Sequence, residues 1–170
     1  KKIRKYEKIT DRMEIEITEY MTKLYNQEIT SKTSVKLRSF LNISNDLERI
    51  GDIYFQISKT IELKIEDKDY FLPEQRENLN NMIDTVDVAF EIMVENMNNP
   101  SYSEVSKEPA EKAEKAINKL RDELREQNNK RIGNGDYSSK TAMIYNNVFS
   151  SLEKVGDHII NVTEAIKGEI

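Results

Sequence analysis

A six-residue motif occurs twice in this chain, each time inside a long stretch of helical apolar period. Leu47-Glu48-Arg49-Ile50-Gly51-Asp52 returns 105 residues later as Leu152-Glu153-Lys154-Val155-Gly156-Asp157. The flanking seam returns with it. Phe40, Ile43, Leu47, Ile50, Tyr54, Ile57 and Ile61 are spaced alternately three and four residues apart, and so are Tyr145, Val148, Leu152, Val155, Ile159, Val162 and Ile166. That alternation lays one apolar stripe along a helix, suited to lengthwise packing against other helices. The helices before the two motifs also correspond. Glu7-Lys8-Ile9-Thr10-Asp11-Arg12-Met13 aligns with Glu114-Lys115-Ala116-Ile117-Asn118-Lys119-Leu120 at an offset of 107. A duplicated helical unit is therefore the architecture the chain must accommodate.

Only five glycines and three prolines interrupt the 170 residues, so the helices must be long. The pattern predicts five: about Lys2 to Asn26, Thr33 to Glu66, Pro73 to Asn98, Pro109 to Arg131 and Tyr137 to Lys167, the last closed by Gly168. The expected fold is all-α: elongated antiparallel helix bundles in two pseudo-repeats. The division falls at residues 1–66, with two helices, and 67–170, with three. The helix from Pro73 has no earlier copy, so either the first unit is a genuine two-helix unit or it lacks its leading helix, which then lies upstream. The seam around Leu47 and Ile50 is then expected to need a third helix, from upstream residues or from another chain. The absence of Met at position 1 points to upstream residues.

Composition removes several function classes. Acidic side chains number 31 against 26 basic, a net charge of -5, which argues against a nucleic-acid binder. No apolar run approaches the roughly 18 residues of a membrane span. With no Cys there is neither a thiolate metal site nor a Cys nucleophile, and the single His158 excludes His-rich centres. For His158 itself a role in helix packing or beside a metal ligand is preferred to one in phosphorelay.

The repeat preserves acids as well as apolar residues. Glu48 with Asp52, Glu153 with Asp157 and Glu7 with Asp11 each place two carboxylates on one helix face at i,i+4. Like charges at that spacing cost about 0.2–0.5 kcal/mol per pair. If the first two helices pack side by side, four carboxylates converge, a donor set suited to a hard cation. In the second unit Glu114, Glu153 and Asp157 remain, but Asn118 stands where Asp11 stood. Gly51 and Gly156 sit between the acids in mid-helix, each costing about 1 kcal/mol in helix propensity. Close approach of a neighbouring helix or a bound group would explain them. Against this, acidic pairs on a long helix are commonly just a solvated face.

These residues resemble the PhoU family of phosphate-uptake regulators, whose pattern is a helix reading roughly D-L-E-R-I-G-D-H-A, present twice, each copy preceded by a helix bearing E-x-x-x-D. Asp46 to Asp52 matches residue for residue. Ser151 to His158 matches with Ser, Lys and Val substituted. The resemblance implies two related helical bundles and metal ions, divalent or trivalent (Fe, Zn, Mn or Ni), held by Glu7, Asp11, Glu48 and Asp52 in one half and by Glu114, Glu153 and Asp157 in the other. Asn118 and Ile53, the latter in place of the family's His, depart from the pattern. The chain looks most like the C-terminal PhoU-like domain of bacterial sodium/phosphate cotransporters. That likeness implies a non-enzymatic regulator, tethered on the cytoplasmic side of the inner membrane to a transmembrane transporter upstream, with no catalytic residues. The basic start Lys1, Lys2, Arg4, Lys5 suits such a tether. A homo-oligomer is compatible with the bare seam. The alternatives are a free-standing PhoU-type partner of a sensor kinase and an ABC transporter, and a carboxylate-bridged metallohydrolase.

Overall fold

The computed structural model describes residues 2–168, and Lys1 of the basic cluster lies outside them. Five α-helices form: α1 Lys2–Tyr25, α2 Ser31–Glu66, α3 Pro73–Asn98, α4 Glu108–Asn134 and α5 Ser139–Lys167, with one short 3-10 turn at Tyr102–Glu104. The described residues contain no strand. The expected boundaries hold to within three residues. α2 and α5 begin two residues away from the expected points because Thr30 and Ser138 act as N-caps, their hydroxyls accepting from the backbone N–H of Thr33 and Thr141. Gly168 caps α5 as expected, and Gly135 closes α4.

α5 is the hub. It packs against α2, α3 and α4, and α3 and α4 pack on each other. The second unit is therefore a closed three-helix bundle. Met82 and Val86 of α3, Ile117 and Leu124 of α4, and Phe149, Val155 and Val162 of α5 are almost wholly buried in it. Tyr145 meets Phe149 edge-on with ring centroids 5.1 Å apart.

The first unit is different. α1 packs on α2 and buries none of its residues. From Ile43 to Ile61 the seam of α2 is covered from within the chain, while Phe40 at its start stays exposed. Ile43 and Ile50 are buried in the same core as the α5 seam, with Leu47, Ile57 and Ile61 packed against it. The third helix expected around Leu47 and Ile50 is thus α5 itself. α1 keeps several apolar residues uncovered, among them Tyr6, Met13 and Tyr20, and single ones such as Val35, Leu63, Val88 and Met143 stay exposed on α2, α3 and α5. The long, regular seam of α2 finds its partner within the chain because α5 presents a seam of the same spacing.

Candidate metal centre

The two mid-helix glycines occupy equivalent positions. A Cβ on Gly51 would lie 2.6 Å from Thr10 Oγ1 of α1, and one on Gly156 would lie 2.9 Å from Ile117 Cδ1 of α4. Thr10 and Ile117 correspond at the same offset of 107 that aligns the two helices in sequence. In both units the earlier helix crosses the later one at the glycine, closer than a side chain there would allow. This accounts for a residue that costs about 1 kcal/mol of helix propensity. The crossing also sets the site, because Glu7 and Asp11 flank Thr10 while Glu48 and Asp52 flank Gly51.

At the first crossing, Glu7, Asp11 and Asp52 bring carboxylate oxygens within 4.8 Å of one another, all three half-buried. Glu48 adjoins them without being one of the three. Its carboxyl is pushed above the usual Glu range, first by burial and then by the charge of Asp52, with a smaller push from Asp11. Arg49 opposes this weakly. Its guanidinium lies 3.7 Å from Glu48 and 3.9 Å from Asp52, but the side chain is 63% exposed and screened by water. An upward shift of this origin reflects burial of the carboxyl first and the neighbouring negative charge second. All four donors are hard oxygens, so the residues present fit a bound divalent or trivalent cation.

The second crossing carries a different arrangement. Among the described residues, Glu114, Glu153 and Asp157 do not bring three ligand oxygens together as the first set does. Arg121 of α4 forms an ion pair with Glu153. Their side chains are only 19% and 14% exposed, so this pair is far less screened than those of Arg49. Burial and the charge of Asp157 raise the Glu153 carboxyl, while Arg121 and Arg125 pull it down. Asp157 is raised by burial and lowered by His158, Arg121 and Lys154. Asn118 Nδ2 donates to Glu114 Oε1 at 2.5 Å, and its Oδ1 is buried without a hydrogen-bond partner. A largely buried guanidinium thus faces the acids of the second crossing, where the first has only the exposed Arg49.

Two residues in this region escaped the sequence reading. Arg121 did so because it lies one turn beyond the E-x-x-x-D pattern. The aligned position is Glu14, and that reversal of charge was the available signal. Asp46 was read only as part of the motif. In the fold its Oδ1 lies 2.8 Å from His158 Nδ1 and accepts from Asn161 Nδ2 at 3.2 Å, tying α2 to α5. The helix-packing role preferred for His158 is the one the geometry supports. The counterparts of this pair are Ser151 and Ile53, so one repeat retains the Asp and the other the His.

Residues 1–61 match the family model described as PhoU domain, and that segment carries Glu7, Asp11, Glu48 and Asp52. The resemblance seen in the motifs is thus found independently for the first unit. Over 130 residues the chain is 29% identical to the phosphate-specific transport system accessory protein PhoU homolog 1 of Thermotoga maritima. The alignment covers 75% of this chain but 53% of that protein, so the chain spans about half the length of this curated relative. No solved structure matches. No described helix is long and apolar enough to cross a membrane.

Proposed function

We propose that this chain is a PhoU-like regulatory domain of phosphate transport, that it binds a metal ion at the α1/α2 crossing, and that it performs no chemistry itself. The observation that carries the reading is the convergence of Glu7, Asp11 and Asp52, with Glu48 beside them, at a glycine-mediated helix crossing inside the segment that matches the PhoU domain. A cation there holds α1 to α2, and its loss leaves four acids to repel, so occupancy biases how α1 sits. Packed helices shift between discrete arrangements more readily than they deform continuously, and a coupling of about 1–3 kcal/mol is typical of such devices.

The reading extends to attachment on the cytoplasmic side of a sodium/phosphate cotransporter, supported by the motif resemblance and by the basic residues Lys2, Arg4 and Lys5 at the start of α1. A free-standing regulator is the second reading, favoured by the Thermotoga relative, an accessory protein of a phosphate-specific transport system.

Two measurements test the proposal. Calorimetric titration with Mn, Fe, Zn and Ni ions should show binding that Glu48→Gln with Asp52→Asn removes, and saturating metal should raise the melting temperature of the parent only. Absence of binding at near-millimolar metal would reduce the cluster to a solvated acidic face. In cells, deletion of this segment should leave phosphate uptake working but alter its response to phosphate supply. Unchanged rate and response would remove the regulatory role.

A further inference from the structure

The three-helix unit holds polar groups inside its core that the repeat does not account for. Gln75 of α3 is 3% exposed, Asn128 of α4 4% and Tyr145 of α5 2%. Extending the two offsets along the helices pairs Tyr145 with Phe40 and Asn128 with Met21, so the first unit has no polar group at either place. Asn128 is used at both ends: its Nδ2 donates to Ala142 O at 3.1 Å and its Oδ1 accepts from the Tyr137 hydroxyl at 2.6 Å. Gln75 is used at one end only. Its Oε1 accepts from the backbone N–H of Leu72 at 3.0 Å, which fixes the orientation of the amide and turns Nε2 the other way.

Among the described residues, neither Gln75 Nε2 nor Tyr145 Oη has a hydrogen-bond partner. Asn78 lies beside the Tyr145 hydroxyl and Tyr137 beside the Gln75 amide, but neither contact reaches hydrogen-bond geometry. A buried polar group left unmet is costly, and native proteins rarely keep two of them together. Both residues line the same small cavity, of about 10 Å³, which is room for one water molecule and little more. Asn128 lines it as well, and its Oδ1 has a second lone pair to offer. Glu74 and Arg131, paired with each other and half exposed, stand at the same cavity.

We propose that this cavity is a binding site for a single water molecule, held by Gln75 Nε2, Tyr145 Oη and Asn128 Oδ1, which joins α3, α4 and α5 at one end of the bundle. The donor set selects water over an ion. The amide nitrogen of Gln75 offers only protons, which a cation cannot accept. An anion would take them but face the Glu74 carboxylate and the remaining lone pair of Asn128 Oδ1. Water accepts from Gln75, shares a hydrogen bond with the Tyr145 hydroxyl and keeps a proton for Asn128, so three groups are met at once. The Tyr145 hydroxyl, pushed up to about 12 chiefly by burial, stays protonated and is free to donate. The site uses none of the acids at the two crossings, so it stands apart from metal binding.

A high-resolution crystal structure of the chain should show ordered density within hydrogen-bond distance of both Gln75 Nε2 and Tyr145 Oη. Tyr145→Phe tests the energetics by their sign, with unchanged helical circular dichroism as the control for folding. With a bound water, loss of the hydroxyl leaves the water and the groups around it short of a partner, and the melting temperature should fall by about 2–4 °C. If the hydroxyl is simply unmet, its removal costs nothing and the melting temperature should hold or rise. A cavity without density overturns the proposal, and so do Gln75 and Tyr145 found in direct hydrogen bonds with Tyr137 and Asn78. A Tyr145→Phe variant that melts at or above the parent overturns it as well. An anomalous peak in the cavity after soaking in bromide would assign the site to a halide instead of water.

Discussion

The two helix crossings share their backbone geometry and differ in how they balance charge. At Gly51 and at Gly156 the earlier helix approaches the later one through aligned residues, Thr10 and Ile117, and acids flank both glycines. At the first, the acids face one another with the exposed Arg49 as the cation beside them. At the second, Arg121 reaches in to pair with Glu153, and Asn118 relieves one negative charge and bonds to Glu114. The repeat thus keeps one packing device in both units, while only the second buries a cation of its own against the acids. The surroundings agree with this division. At the second crossing Arg121 is 19% exposed and Glu153 14%, where an unpaired charge is costly, whereas Arg49 at the first is 63% exposed and its pairs are screened by water.

The largest effect should come from removing the internal cation. Arg121→Ala leaves Glu153 half-buried beside Asp157 and should destabilise the fold by about 2–3 kcal/mol in denaturant titrations. Adding Glu153→Gln should recover most of that loss. If Arg121→Ala is neutral, the guanidinium is an ordinary surface charge and the contrast between the crossings fails.

The glycines sharpen the comparison at a smaller scale. Gly156→Ala pushes on Ile117 inside the core, where overpacking costs about 1–3 kcal/mol, partly offset by about 1 kcal/mol of helix propensity. Gly51→Ala meets the Thr10 hydroxyl on a peripheral helix and should be nearly neutral in stability. It should nevertheless weaken any metal response by moving α1 off α2. Equal destabilisation by the two variants in thermal melts would show that α1 is held as firmly as α4.

The smallest effect is with pH. The carboxyls of Glu48, Glu153 and Asp157 are all raised in the fold, so the native state binds protons more tightly than the unfolded chain. Stability should therefore rise as pH falls from neutral toward the ordinary carboxylate range, and fall as pH rises through the raised values. Glu48→Gln should flatten part of this slope in metal-free buffer. A slope of the opposite sign would mean that the acids are compensated in the native state.

Much of this was legible in the residues because it is local. Alternating three- and four-residue spacings give long helices whatever surrounds them. Pro73 opened α3 and Gly168 closed α5 as expected, and the repeat marked both glycines and the acids beside them. Which side chains meet across helices was not local. Covering of the α2 seam by α5 and the pairing of Asp46 with His158 depend on how two units of one chain dock, and each stripe alone is satisfied by any apolar partner. Arg121 makes the same point for charge. Its long side chain reaches Glu153 only because α4 crosses α5 close at Gly156, so a distance set by tertiary packing decides that one acidic motif holds a guanidinium while its copy stays open to a cation.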